Sequence, residues 1–133
     1  MEALERDWHE YPVFHIDFNA TNYMEDGALA SKLEGLVASW EREYGKDTVC
    51  TSIGDRFVHV LKQAHIRHGR RAVVLVDEYD KPVLDVLDTR LTPDANNGHR
   101  TTEDVNRDIL RGFYSVFKAA DEDLQFVLLT GVT

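Results

Sequence analysis

Ala72-Val-Val-Leu-Val76 is an unbroken apolar run that stops abruptly at Asp77-Glu-Tyr-Asp80. A run this short and this rich in β-branched residues predicts a strand buried on both faces, the kind found inside a parallel sheet. A second run, Phe126-Val-Leu-Leu129, ends in the same way at Thr130-Gly-Val-Thr133. Pro12-Val-Phe-His-Ile-Asp-Phe18 alternates instead. Phe14, Ile16 and Phe18 share one face and Val13, His15 and Asp17 the other, which predicts an edge strand with a single apolar face.

Helical spacing fills the gaps between these strands. Leu29, Leu33, Leu36, Val37, Trp40 and Tyr44 recur in steps of three and four, with Asp26 as a candidate cap and Gly45 as the stop. A second helix is predicted after Ser52, with Phe57, Val60, Leu61 and Ala64 inward and Gly69 ending it. After Lys81-Pro82 a short turn over Val83 to Leu87 is expected, then a polar loop over residues 89–101. Thr101 or Thr102 then opens a third helix, on which Val105, Ile109, Phe113, Val116, Phe117 and Ala120 are expected to share a face.

Strand, helices, strand, helix, strand is the order of an α/β protein with three parallel strands. Right-handed crossovers moving in one direction place the helices mainly on one face of the sheet. The other face is then apolar and uncovered by anything within these 133 residues. Leaving it wet costs several kcal/mol at about 25 cal/mol per Å², comparable with a domain's net stability of about 5–15 kcal/mol. The expectation is therefore a partial fold.

Charge narrows the function classes. With 24 acidic against 15 basic side chains the net charge is −9, which argues against direct nucleic-acid binding through clustered cations. No apolar stretch approaches the ~20 residues of a membrane span, and Met1-Glu-Ala-Leu-Glu-Arg is no signal peptide. A lone Cys50 forms no intrachain disulfide, so a cytoplasmic location is expected. The six histidines, at 9, 15, 59, 65, 68 and 99, show no metal-ligand spacing, and His15 reads as structural.

The acidic end of the middle strand carries the chemistry. Four apolar residues followed by Asp77-Glu78 have the form of a Walker B element, although strands also end in acids simply where the chain returns to solvent. A buried strand holds such carboxylates at its C-terminal tip, where ligands bind in open α/β sheets. An aspartate there can hold Mg²⁺ through water, and the next residue can polarise a water aimed at a γ-phosphate. Thr130 is predicted to stand beside Asp77 at the neighbouring tip. Asp77, Glu78 and Asp80 with Lys81 also suit a metal-dependent nuclease in outline, but such sites draw their acids from separate strands. A phospho-acceptor aspartate would need an acid pair on the first strand, where only Asp17 is near.

Three longer stretches add to this. They are Val74-Leu-Val-Asp-Glu-Tyr-Asp-Lys-Pro82, Asn106-Arg-Asp-Ile-Leu-Arg-Gly-Phe-Tyr-Ser-Val-Phe-Lys118 and Phe126-Val-Leu-Leu-Thr-Gly-Val-Thr133. Together with Asp7-Trp-His-Glu-Tyr-Pro-Val-Phe-His-Ile-Asp-Phe18 and Trp40-Glu-Arg-Glu-Tyr-Gly45, the chain resembles the predicted AAA-ATPase-like family of bacterial P-loop proteins. The resemblance implies that Asp77 is the Mg²⁺-associated Walker B acid, Glu78 the water-activating carboxylate and Thr130 the sensor. It implies ATP and Mg²⁺ as cofactors of the intact domain. It further implies that the strands here are the second, third and fourth of the full fold, side by side in the order four-three-two.

A phosphate loop reads G-x-x-x-x-G-K followed by Ser or Thr. The single Gly-Lys here, Gly45-Lys46, has Trp40 at the earlier glycine and Asp47 at the hydroxyl position, so it does not match. In the resembled family that loop precedes the region of Trp8, and more sheet and helix follow Thr133. The expectation is a central fragment spanning 1–133, truncated at both ends and inactive alone. Its partner at the exposed sheet edge would be the rest of its own ATPase domain or another chain. The alternative is a non-catalytic interaction module on a degenerate P-loop fold. Arg107 and Arg111 carry charge towards any neighbouring phosphate, and nothing in the sequence singles out either as an arginine finger.

Overall fold

A computed structural model of the chain describes residues 11–19, 21–25, 27–86 and 102–131. Asp26, Thr101, Leu87, the 89–101 loop, His9, the Asp7-Trp8 start of the first motif and the last two residues of the final one lie outside the described residues. The elements run β1 (Val13–Asp17), α1 (Ala28–Tyr44), α2 (Ile53–His68), β2 (Ala72–Asp77), α3 (Lys81–Leu84), α4 (Thr102–Tyr114), α5 (Val116–Ala119) and β3 (Leu124–Thr130). The fold is α/β, as the strand and helix patterns predict, with one parallel sheet in the order β1-β2-β3.

Register explains how the strands share their work. Phe14, Val74 and Val127 form one cross-sheet row, and Ile16, Val76 and Leu129 the next on the same face. This face meets the helices. Phe14 packs edge-on to Trp40 of α1 and Phe57 of α2, and Phe57 stacks on Phe113 of α4 at 5.3 Å between ring centroids. Three helices and three strands therefore close on one aromatic core. On the opposite face Val13, Phe126 and Leu128 stay 42%, 41% and 52% exposed. Val73, between Val13 and Phe126 in the same row, is fully buried, so the face that the crossover rule leaves bare is exposed on the outer strands and covered at the middle one; among the described residues β3 forms an edge of the sheet.

The helix ends follow their local chemistry. Ser52 Oγ accepts the Asp55 backbone N–H at 3.1 Å, and Gly69, in the left-handed region at φ 66°, ends α2. Replacing Ser52 by Ala should lower stability by about 1 kcal/mol in urea unfolding, whereas an unchanged midpoint would show the cap to be idle. Gly45 closes α1 with its N–H on Glu41 O at 2.8 Å. Gly45-Lys46 thus sits at a helix C-terminus, where the dipole is negative and repels phosphate.

The third helix departs from expectation. Its buried residues are Glu103, Asn106, Leu110 and Phe113, while Val105 is 40% exposed. The helix breaks at Ser115, whose Oγ donates to Gly112 O at 2.6 Å, before α5 resumes at Val116. Residues 105 and 116–120 do not lie on one continuous helix, so a single 3.6-residue stripe cannot join them.

Candidate active site

The C-terminal ends of the three strands bring one residue each into a row. Asp17 of β1 pairs with Asp77 of β2, and Asp77 pairs with Thr130 of β3. The side chains of this row belong to the face opposite Phe14 and Ile16, one step beyond the row of His15, Leu75 and Leu128. Asp77 and Thr130, separated by 53 positions in the chain, are brought into contact by sheet register alone: Thr130 Oγ1 lies 2.9 Å from Asp77 Oδ1 and donates to it. Its oxygen is also 3.4 Å from Val76 O, a longer second approach.

The other oxygen of Asp77 has a partner that sequence reading treated as structural. His15 Nε2 lies 2.6 Å from Asp77 Oδ2. Alternation along β1 placed His15 on the less apolar face, but its meeting with Asp77 depends on the β1–β2 register, which no local pattern reveals. These contacts hold the Asp77 carboxyl below its usual pKa, the His15 hydrogen bond first and the Thr130 hydrogen bond second. The side chain is 45% exposed, so the anion at this tip is both ionised at neutral pH and open to solvent.

Glu78 turns the chain out of the strand. It is the one non-glycine among the described residues with positive φ, at 59°. Left-handed backbone costs an L-residue roughly 1–2 kcal/mol, and such strain clusters at functional sites. The residue is half-buried, and its carboxylate makes no hydrogen bond or ion pair among the described residues. Beyond it Tyr79 N–H bonds to Thr130 O at 2.9 Å, and Tyr114 Oη donates to Tyr79 O at 2.9 Å. A Cβ on Gly131 would come within 3.1 Å of the Tyr79 ring, so the segment after Thr130 lies directly against that tyrosine. Glu78 and Thr130 are thereby fastened to one another through main chain.

The structure thus brings Asp77, Glu78 and Thr130 to one strand end. Beside them Tyr79, Asp80, Val83, Leu84, Arg107 and Arg111 line a cleft of ≈ 400 Å³. Both arginines contact acids of their own helix, Glu103 at 3.7 Å and Asp108 at 3.5 Å. No cluster of three or more His, Cys, Asp or Glu side chains suited to a metal occurs among the described residues. A Mg²⁺ ion does not need one: it takes one or two carboxylates and completes its shell with water and substrate phosphates. The carboxylates of Asp77 and Glu78 fit that habit, with the His15 nitrogen engaged on Asp77.

The full length of the chain decides its family: residues 1–133 match the model of the predicted AAA-ATPases. The chain belongs to this AAA-ATPase-like family. It is also 35% identical to an uncharacterised protein from the region 5′ of vnfD in Azotobacter chroococcum mcd 1, over 96% of this chain and 23% of that protein. The chain thus spans less than a quarter of that relative's length. No solved structure matches it. Among the described residues of this AAA-ATPase-like chain, no helix is long and apolar enough to cross a membrane.

Proposed function

We propose that the chain supplies the cation and water side of an ATP-hydrolysing site. The observation that carries this reading is the contact between Asp77 and Thr130 across two parallel strand tips, with Glu78 next in the chain. Asp77, ionised and solvent-facing, serves as the Walker B acid that holds Mg²⁺ through its water shell. Glu78 accepts the proton of the attacking water, and Thr130 stands as the sensor residue at the neighbouring strand tip. Asp77 would hold a Mg²⁺ ion through water, and that ion would supply neutralisation of the charge developing on the terminal phosphoryl group. The family assignment supports ATP as the nucleotide; a bacterial, cytoplasmic setting belongs to the same proposal.

Positioning of phosphates supplies most of the rate in this chemistry, and these 133 residues contain no phosphate-loop motif. The chain alone should therefore show no ATP turnover in a phosphate-release assay. A Mg²⁺-dependent rate from this chain, abolished by Glu78→Gln, would contradict the proposed division of labour. The open β3 edge and the exposed Val13, Phe126 and Leu128 support a partner on that side. We assign it to further strand and helix of the same ATPase domain, without membrane or nucleic-acid contact by this segment.

A further inference from the structure

His15 is the side chain at the tip that hydrolysis as described leaves unused. On β1 it stands level with Leu75, one step behind the Asp17–Asp77–Thr130 row, and its Nε2 reaches across to Asp77 Oδ2 at 2.6 Å. An ionised carboxylate only accepts, so Nε2 carries the proton and donates it. Thr130 donates to the other oxygen from the opposite strand at 2.9 Å. A carboxylate held through one oxygen still turns about its last torsion. One held on both oxygens, from strands on either side, does not.

We propose that His15 is a positioning residue for the cation-side carboxylate. By holding Oδ2 from β1 while Thr130 holds Oδ1 from β3, it sets the orientation in which Asp77 meets a divalent cation or its water shell. The inference rests on the reading of Asp77 given above. Each carboxylate oxygen keeps a further acceptor site beyond the one given to His15 or Thr130, so the clamp and a cation coexist. His15 touches neither cation nor nucleotide in this role; it acts through Asp77. Partners that orient a metal ligand in this way change metal affinity by roughly 10- to 100-fold when removed. A histidine that merely ties β1 to β2 would alter stability and leave cation affinity in the folded chain untouched.

The test uses the 133-residue chain, isotopically labelled, with Mn²⁺ alone as the probe and paramagnetic broadening of backbone amides as the readout. In the wild-type chain broadening should centre on Asp77 and Thr130, and Asp77→Asn should abolish it. His15→Ala should weaken Mn²⁺ at that position by about 10-fold. His15→Gln, which keeps a side-chain N–H donor, should restore near-wild-type affinity. Wild-type affinity in His15→Ala would overturn the positioning role and leave Asp77 as the cation residue. Absence of broadening at Asp77, or broadening that survives Asp77→Asn, would overturn the reading of Asp77 and the positioning role with it. Should His15→Ala fail to fold, the imidazole nitrogen spectrum of the wild-type chain decides the matter. Its Nε2 signal should shift in Asp77→Asn, and a signal indifferent to that substitution would overturn the clamp.

Discussion

In a polypeptide built to join this chain to a phosphate loop, Glu78→Gln should lower kcat for ATP by about 100-fold or more and leave the affinity for Mg·ATP unchanged. General-base groups contribute about 10²–10⁴ to turnover, and Gln keeps the size and shape of Glu while losing its ability to take a proton. Because the substitution removes an interaction made only in the transition state, kcat and kcat/KM should fall together. Backbone conformation is not the variable: both side chains meet the same positive φ at residue 78. Steady-state phosphate release across a range of ATP concentrations reads both constants. Turnover close to wild type would remove Glu78 from the reaction, and a raised KM with intact kcat would make it a binding residue instead.

Arg56→Met destabilises the fold by about 3–5 kcal/mol in urea unfolding, because it strands a buried carboxylate. Arg56 lies on α2 with its side chain 9% exposed, and Glu41 of α1 opposite it is 6% exposed. The guanidinium grips Glu41 with two prongs, Nε to Oε2 at 3.1 Å and the terminal nitrogen to Oε1 at 2.6 Å. A third N–H reaches the half-exposed Glu34 at 2.6 Å, a contact that solvent screens. Replacing both partners, as in Arg56→Met with Glu41→Leu, should recover most of the loss, since an apolar pair leaves no charge to satisfy. A single substitution costing less than about 1 kcal/mol would show that Glu41 finds water or another cation.

The same pair gives the fold an acid limit. The Arg56 hydrogen bonds hold the Glu41 carboxyl below its ordinary pKa against the opposing effect of burial. A carboxyl depressed in the folded state contributes stability that is complete above the unfolded pKa. That contribution disappears as pH falls through the lower, folded value. Urea midpoints should therefore be flat towards neutrality and fall below the usual carboxylate range, with a weaker fall in the Arg56→Met, Glu41→Leu double variant.

Local pattern carried much of this architecture. Ser52 and Gly69 bracket α2 as a cap and a left-handed stop, and the uninterrupted Ala72–Val76 run became the middle strand. The meeting of Asp77 with Thr130 was legible too, because two parallel strands ending in polar residues bring their tips level. His15 on Asp77 was not, since alternation reports which face a side chain takes and says nothing of its neighbour across the sheet. Nor was the positive φ of Glu78, which no glycine or asparagine announces. Arg56 with Glu41 was hidden for a related reason: charged residues read as solvent-facing until a partner 15 positions away on another helix is brought to them.

Asp77 is the carboxylate proposed to tie a divalent cation to bound nucleotide. Isothermal titration of ATP into a polypeptide built to join this chain to a phosphate loop, with and without Mg²⁺, tests this with Asp77 intact and in Asp77→Asn. Mg²⁺ should strengthen ATP binding where Asp77 is intact, and Asp77→Asn should lose this gain while keeping Mg²⁺-free binding. An equal gain from Mg²⁺ in both proteins would contradict that role for Asp77.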